Sequence, residues 1–250
     1  ATAALHYLDA QGKVTSEDIA SGAVSLAPYG RQSFQFGFRR GALWAQSHIT
    51  ASKEVPWTTA YLVFDNSSLG SITLYAPVID GGERSIRVLN GGWQNASGSS
   101  QIPFIYPTFR IPADYDDSRP LTIAVSTPYA LQFRATLFTR DQFIATGFAL
   151  FLIIGFCSGT LIAMLLYNLF IYTQVGERHY LYYVLYVLAQ LVYQCVLFGI
   201  VPYLWPRTGL FLTSHITVLS ALMIISVLAF TRSFLDTRTT ARRHDVLIIM

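Results

Sequence analysis

The chain has 250 residues, 52% of them hydrophobic and 14% aromatic, and only 12% are charged. A soluble domain carries about twice that share of charge, and the shortage is uneven: both lysines and most acidic residues precede residue 144, whereas Ile144 to Tyr172 holds no charged residue. The two halves therefore face different solvents, and a formal charge of +3, thinly scattered, offers no footprint for nucleic acid.

Residues 1–30 read as a polar lead-in. Within it Leu5–Leu8 is a short strand candidate, Asp9–Gly12 a turn, and Thr15-Ser16-Glu17-Asp18 a helix start of about one turn. From Ser33 the pattern changes to short aromatic and β-branched runs: Phe34–Phe38, Ala42–Ile49, Thr58–Phe64, Ser71–Pro77, Ser85–Leu89, Thr108–Ile111, Leu121–Ser126 and Leu131–Phe138. Turn residues separate them, including Asp80-Gly81-Gly82, Asn90-Gly91-Gly92 and Asp114-Tyr115-Asp116-Asp117. Alternation is plain in Ser71-Ile72-Thr73-Leu74-Tyr75 and Leu121-Thr122-Ile123-Ala124-Val125. Evenly spaced strands with no helical period between them predict an all-β domain over 1–143, a β-sandwich or jelly roll of the carbohydrate-binding-module kind.

The remainder, 144–250, predicts α-helical transmembrane segments. Ile144–Tyr172 exceeds the ~20 residues a helix needs to cross hydrocarbon, and Gly147, Gly155 and Gly159 are spaced to share one face, a packing seam. A second span is expected over 180–201, ending at Pro202 and the interfacial pair Tyr203 and Trp205. A third is expected over 210–230, with His215 as its only ionisable residue, and a fourth begins near Val246. The first loop holds Arg178 and the second Arg207, whereas the third holds Arg232, Arg238, Arg242 and Arg243. That imbalance puts the loops at 173–179 and 231–245 in the cytoplasm and the β domain outside. Cys157 and Cys195 lie in apolar stretches and read as inert packing residues. Ala1 to Ala4 have neither the basic nor the apolar region of a leader, which suggests a mature chain; Val246 to Met250 opens an apolar run too short to span, which suggests that the natural protein continues.

Few patterns carry chemistry. There is no nucleophile elbow, phosphate-cradling loop, CxxC or HExxH, so no cofactor, metal or catalytic residue is expected in this chain. The cluster Asp114, Asp116 and Asp117 lacks calcium-loop spacing and reads as a solvated turn. Trp44 alternates with apolar neighbours, so packing is favoured over ligand contact, as is natural for a strand tryptophan. Trp93 follows Asn90-Gly91-Gly92 in an expected loop, where an exposed aromatic needs a purpose; Tyr106, between Pro103 and Pro107, is similar. Arg84, Arg87 and Arg110 have the charge to complement an anionic or polyol ligand. Trp93, Tyr106, Trp44, Arg84 and Arg110 are therefore the candidate ligand-binding residues. In the spans, His215 is the polar residue of most interest, with helix-helix or interfacial hydrogen bonding favoured over a proton role. Asn168 is the expected partner of a tyrosine face formed by Tyr182, Tyr186 and Tyr193.

The order of segments resembles a family. Leu166-Tyr167-Asn168-Leu169-Phe170-Ile171-Tyr172 followed by Arg178-His179-Tyr180-Leu181-Tyr182-Tyr183, then Tyr203-Leu204-Trp205-Pro206 and Phe230-Thr231-Arg232-Ser233-Phe234, resemble the first spans of bacterial seven-transmembrane receptors with diverse intracellular signalling modules. Tyr7-Leu8-Asp9, Ala42-Leu43-Trp44, Val63-Phe64-Asp65-Asn66, Ile72-Thr73-Leu74-Tyr75 and Pro107-Thr108-Phe109 resemble that family's periplasmic jelly-roll sensor. The resemblance implies a signal-transduction receptor of the bacterial inner membrane, non-enzymatic in this stretch, with a periplasmic domain that senses a carbohydrate, another small ligand or a partner. Its output would be two-component or cyclic-di-GMP signalling through a histidine kinase or diguanylate cyclase. Its expected partners are the lipid bilayer and a second copy or partner receptor, and no nucleic acid. The competing reading is a transporter or membrane-enzyme subunit with an accessory domain, which requires polar residues deep in the spans.

Overall fold

The structure, a computed structural model, describes residues 4–9, 14–20, 23–29, 33–38, 40–49, 57–95, 100–102 and 104–235. The chain divides into two compact units, Ala1–Ala145 and Thr146–Met250.

The first unit contains β1 (Ala4–Asp9), α1 (Ser16–Ala20), β2 (Ala27–Tyr29), β3 (Phe34–Phe38), β4 (Ala42–Ser47), β5 (Ala60–Phe64), β6 (Ser71–Asp80), β7 (Glu83–Gly91), β8 (Thr108–Arg110), β9 (Leu121–Ser126), β10 (Ala130–Phe133) and β11 (Ala135–Thr139). Every pairing is antiparallel, and four pairs nest one inside another: β3 with β10, β4 with β9, β5 with β8, and β6 with β7. Such nesting about a central hairpin is the winding of a jelly roll. One layer runs β2-β1-β4-β9-β6-β7; the other is built from β3 and β10 and from β11, β5 and β8. Alternation decides which side of each strand is dry. Ile72, Leu74 and Ala76 of β6 and Leu121, Ile123 and Val125 of β9 meet Leu62, Phe64, Phe109, Leu131 and Phe133 from the opposite layer in one buried cluster. Phe109 stands edge-on to Phe64 at 5.9 Å. Trp57 is half-buried against this core, edge-on to Tyr115 at 4.9 Å.

Two differences from the sequence pattern have local causes. The expected strand Leu131–Phe138 is broken at Arg134 into β10 and β11. There the turn after β5 intervenes: Arg134 N–H donates to the Asp65 carboxylate at 2.5 Å, Asp65 N–H donates to Arg134 O at 3.1 Å, and Asn66 Nδ2 donates to Gln132 O at 2.7 Å. The same run thus serves β3 first and β5 next. Strand β2 lies within the expected lead-in; it is an edge strand of three residues containing Pro28, where a missing N–H is tolerated and alternation is too short to see. The α1 start is a capping box, with Thr15 N–H and Oγ1 donating to Asp18 at 2.8 Å each and Asp18 N–H donating back to Thr15 Oγ1.

The β6–β7 hairpin turns on Gly81 and Gly82, at φ +58° and +92°, as a two-residue turn requires. Its second strand is tied to the loop after β8: Arg87 makes a bidentate pair with Asp114 at 2.8 and 3.0 Å, and Arg84 Nε lies 3.7 Å from Asp116. The Ser118 hydroxyl and N–H both donate to Asp116. The hydroxyl first, then that N–H and the charges of Arg84 and Arg119, hold this carboxyl below its usual range against the opposing effect of burial. Burial, with Asp117 and Asp116 nearby, pushes the Tyr115 phenol up to about 12.

Strand β11 ends at Thr139, still paired with Ala60 of β5, and the next residue begins a helix. Thr139 and Gln142 form a second capping box, Gln142 N–H donating to Thr139 Oγ1 and Thr139 N–H to Gln142 Oε1. Phe143, in the first turn of that helix, stacks on Tyr61 at 4.8 Å and packs on Phe104 at 4.7 Å.

The second unit is helical: α2 (Arg140–Val175, beginning in the first unit), α3 (Arg178–Leu197), α4 (Ile200–Leu204), α5 (Pro206–Ser214) and α6 (Ile216–Phe234). Three of these, α2, α3 and α6, are long and apolar enough to cross a membrane. They differ in extent from the expected spans. The first begins at Arg140, because the capping box starts it there. The expected span over 210–230 is divided at His215, so that its first part belongs to α5 and the crossing helix is Ile216–Phe234. Of the expected glycine seam, Gly147 is buried, whereas Gly155 and Gly159 face open space. Helices α3 and α6 pack through an aromatic ladder, with Tyr183 on Phe230 at 5.2 Å and His179 on Phe234 at 5.9 Å, and α3 buries Val184 and Val187. The basic cluster Arg238, Arg242 and Arg243 and the expected fourth span at 246 lie outside the described residues.

Three substitutions test this packing. A Cβ on Gly92, at φ +93°, would lie 2.4 Å from Gly70 O, whereas one on Gly81 would meet nothing. Gly81→Ala is expected to cost about 1–2 kcal/mol from backbone strain alone, and Gly92→Ala clearly more; equal shifts in thermal unfolding would contradict the close approach. For Asp116 the folded-state pKa lies below the unfolded one, so its contribution is present above about pH 4 and lost as the pH falls through the lowered value. Ser118→Ala should therefore lower Tm at pH 7 and lower it progressively less as the pH falls below about 4; a gap that does not shrink on acidification would show that the hydroxyl acts otherwise.

Candidate functional site

A cleft of about 640 Å³ opens at one end of the jelly roll, walled by residues 40–42, Gln94 and 126–128. Its floor is the strand row where Ala42 of β4 faces Ser126 of β9, and Ser126 faces Ser71 of β6. Arg40 and Gly41 lead into β4, with Gly41 at φ +97° making the bend. Gln94 is held by the single 3₁₀ turn Trp93–Asn95, which is pinned by its backbone: Trp93 N–H donates to Leu69 O at 3.2 Å and Gln94 N–H to Gly70 O at 2.9 Å. Thr127 Oγ1 donates to Ser68 O at 2.9 Å and accepts from Tyr129 N–H. The volume suits a small organic ligand, which typically occupies some 300–1,000 Å³.

The candidate residues named from the sequence divide around this cleft. Trp93 adjoins it: its Nε1 donates to Ser68 O at 3.1 Å and its ring lies 6.3 Å from that of Tyr129, so it supports the wall that carries Gln94. Burial raises the Tyr129 phenol above its ordinary range. Trp44 is 5% exposed and stacks on Tyr75 at 5.7 Å, on the face of β4 opposite Leu43 and Ala45. It is packed, but outside the core between the layers, and its Nε1 is buried without a hydrogen-bond partner among the described residues. Tyr106 is half-buried, edge-on to Phe104 at 6.3 Å, away from the residues that line the cleft; burial first, and the charge of Asp65, raise its phenol. Arg84 is engaged with Asp116, and Arg110 donates from Nε and Nη2 to Thr58 O at 3.0 and 2.8 Å. These two arginines therefore brace loops, a role that a sequence scan for charge does not distinguish from ligand binding.

Arg40, Gln94, Ser126 and Thr127 were not legible as a set. The available signal was Arg39-Arg40-Gly41 between two strand runs, a basic turn, but nothing in the sequence joins it to residues 94 and 126–128. No group of three or more His, Cys, Asp or Glu side chains converges as a metal site among the described residues.

In the helical unit, His215 sits between α5 and α6 rather than inside a crossing helix. Its Nδ1 contacts Phe211 O at 2.8 Å and its ring lies 4.5 Å from that of Phe211. Its N–H is shared between Phe211 O and Leu212 O, which tightens the last turn of α5 and ends it. Asn168 Nδ2 donates to Met164 O of its own helix at 2.8 Å, and the tyrosine that reaches toward α2 is Tyr183, whose hydroxyl lies 3.9 Å from Met164 Sδ. The expected pairing of Asn168 with the tyrosine face is thus replaced by a bond within the helix.

Residues 1–139 match the family described as 7TMR-DISM extracellular 2, and residues 150–250 match the one described as 7TM diverse intracellular signalling. No curated protein matches the chain. The first match falls on the jelly roll and ends at the residue that caps α2; the second begins within α2 and takes in the remaining helices. An antiparallel all-β domain followed by helices able to cross a membrane agrees with both. The chain belongs to the 7TMR-DISM family of membrane receptors, with an extracellular sensor domain ahead of its membrane-spanning region.

Proposed function

We propose that this receptor lies in a bacterial inner membrane with the jelly roll in the periplasm and the loops at 173–179 and 231–245 in the cytoplasm. The jelly roll takes a small polyhydroxylated ligand, a saccharide, in the cleft at 40–42, 94 and 126–128. The observation that carries this reading is the route of one segment. The cleft floor at Ser126–Pro128 continues through β10, the Arg134 bend and β11 to Thr139, which caps the first membrane helix with no linker between. A ligand that binds two arrangements of this segment with unequal affinity shifts their populations, and the shift reaches the helix as a change at its cap. An intracellular output of the histidine kinase or diguanylate cyclase kind reads it, with a second copy or a partner receptor as the assembly. The segment itself acts as a sensor and relay, without catalysis.

The transporter reading has less support. Among the described residues several polar groups of the spans bond their own helices, Asn168 to Met164 O, Thr160 Oγ1 to Phe156 O, and Ser226 Oγ to Leu222 O, while Ser158 Oγ is buried without such a bond. A substrate path needs such groups uncommitted.

Hydrogen exchange on the whole chain in lipid nanodiscs, with and without a panel of neutral and acidic saccharides, tests the proposal. Binding should protect amides at 94 and 126–128 and change exchange at 139–145, and Gln94→Ala should weaken affinity at least tenfold. Protection confined to the cleft would make the domain a passive binder. Absence of binding by every saccharide would withdraw the ligand class.

A further inference from the structure

The geometry points to a carboxylated sugar as the ligand of the cleft, held through its carboxylate by Arg40. This inference rests on the saccharide reading above and narrows it to one chemical class.

The arginines of the jelly roll are not equivalent. Arg84 and Arg87 face Asp116 and Asp114, and Arg110 is spent on a backbone carbonyl. Arg40 is exposed on the cleft wall and makes no ion pair with the described residues, and no carboxylate is among the residues that line the cleft. The cleft therefore presents one uncompensated positive charge. Gln94 and Ser126 line the same cleft, and their side chains make no hydrogen bond with the described residues. Thr127 is committed to Ser68 O and Tyr129 N–H, so it shapes the wall without offering a free hydroxyl hydrogen.

That inventory matches a particular ligand. A guanidinium holds a carboxylate through two parallel hydrogen bonds, which satisfies one negative charge. An amide and a hydroxyl, each able to donate and accept, suit the vicinal hydroxyls of a sugar ring. A neutral sugar would leave the guanidinium without its match. A phosphate, with up to two charges, would find one cation and no helix N-terminus among the lining residues.

Calorimetric titration of the whole chain in lipid nanodiscs with D-glucuronate, D-glucose and inorganic phosphate decides the matter. Glucuronate is expected to bind at least tenfold more tightly than glucose. Arg40→Gln should remove that advantage with Tm unchanged, and Arg40→Lys should restore part of it, since charge returns without the planar fork. Equal affinities for the two sugars, or an advantage that survives Arg40→Gln, would overturn the carboxylate assignment while leaving a saccharide site in place. Phosphate binding as tight as glucuronate would reassign Arg40 to a simple anion. If neither sugar binds, this inference and the saccharide reading fall together.

Discussion

The bend at Arg134 is the constraint on which the rest of the sensor depends. A jelly roll must close its second layer without an open seam, and here one run of chain does so by pairing first with β3 and then with β5. The change of partner leaves backbone groups at the bend that would otherwise be unsatisfied. Asp65 takes both the N–H and the carbonyl of Arg134 between its own carboxylate and amide, and Asn66 adds the carbonyl of Gln132. Two polar residues of a turn thus determine where one sheet of this layer ends, where the next begins, and the register in which β11 delivers Thr139 to α2.

The same economy holds at the hairpin end. The pairs Arg87–Asp114 and Arg84–Asp116 fasten a strand whose residues are mostly exposed. Exposed pairs contribute little individually, about 0–1 kcal/mol, but the bidentate geometry of Arg87 fixes direction as well as distance. The loop carrying Asp114 and Asp116 is therefore a structural brace, and the cleft lies elsewhere, where charge has been left unmatched.

Much of the architecture was legible in the sequence because solvent imposes it. The alternation in Ser71–Tyr75 and Leu121–Val125 appears as buried Ile72, Leu74, Leu121, Ile123 and Val125, and the uncharged run from Ile144 lies in a helix able to cross a membrane. Local pattern failed where the deciding partner is remote. Nothing within Leu131–Phe138 announces the break that Asp65 makes, and Pro28 hides an edge strand that only β1 completes. For the site, Trp93 drew attention as an exposed platform, yet it is tied to Ser68, whereas Trp44 is packed against Tyr75 as its alternation favours. The cleft is assembled from three separate turns, and such a juxtaposition belongs to the winding of the strands rather than to any one segment.

The length of α2 has a consequence of its own. Thirty-six residues in one helix extend about 54 Å, against a hydrocarbon thickness of about 30 Å. A helix whose uncharged run alone exceeds that thickness fits only by leaning or by thickening the lipid around it. Its lean is then tied to the membrane it occupies, and bilayer thickness becomes a mechanical variable of the receptor, acting on the helix whose first turn carries Phe143 between Tyr61 and Phe104.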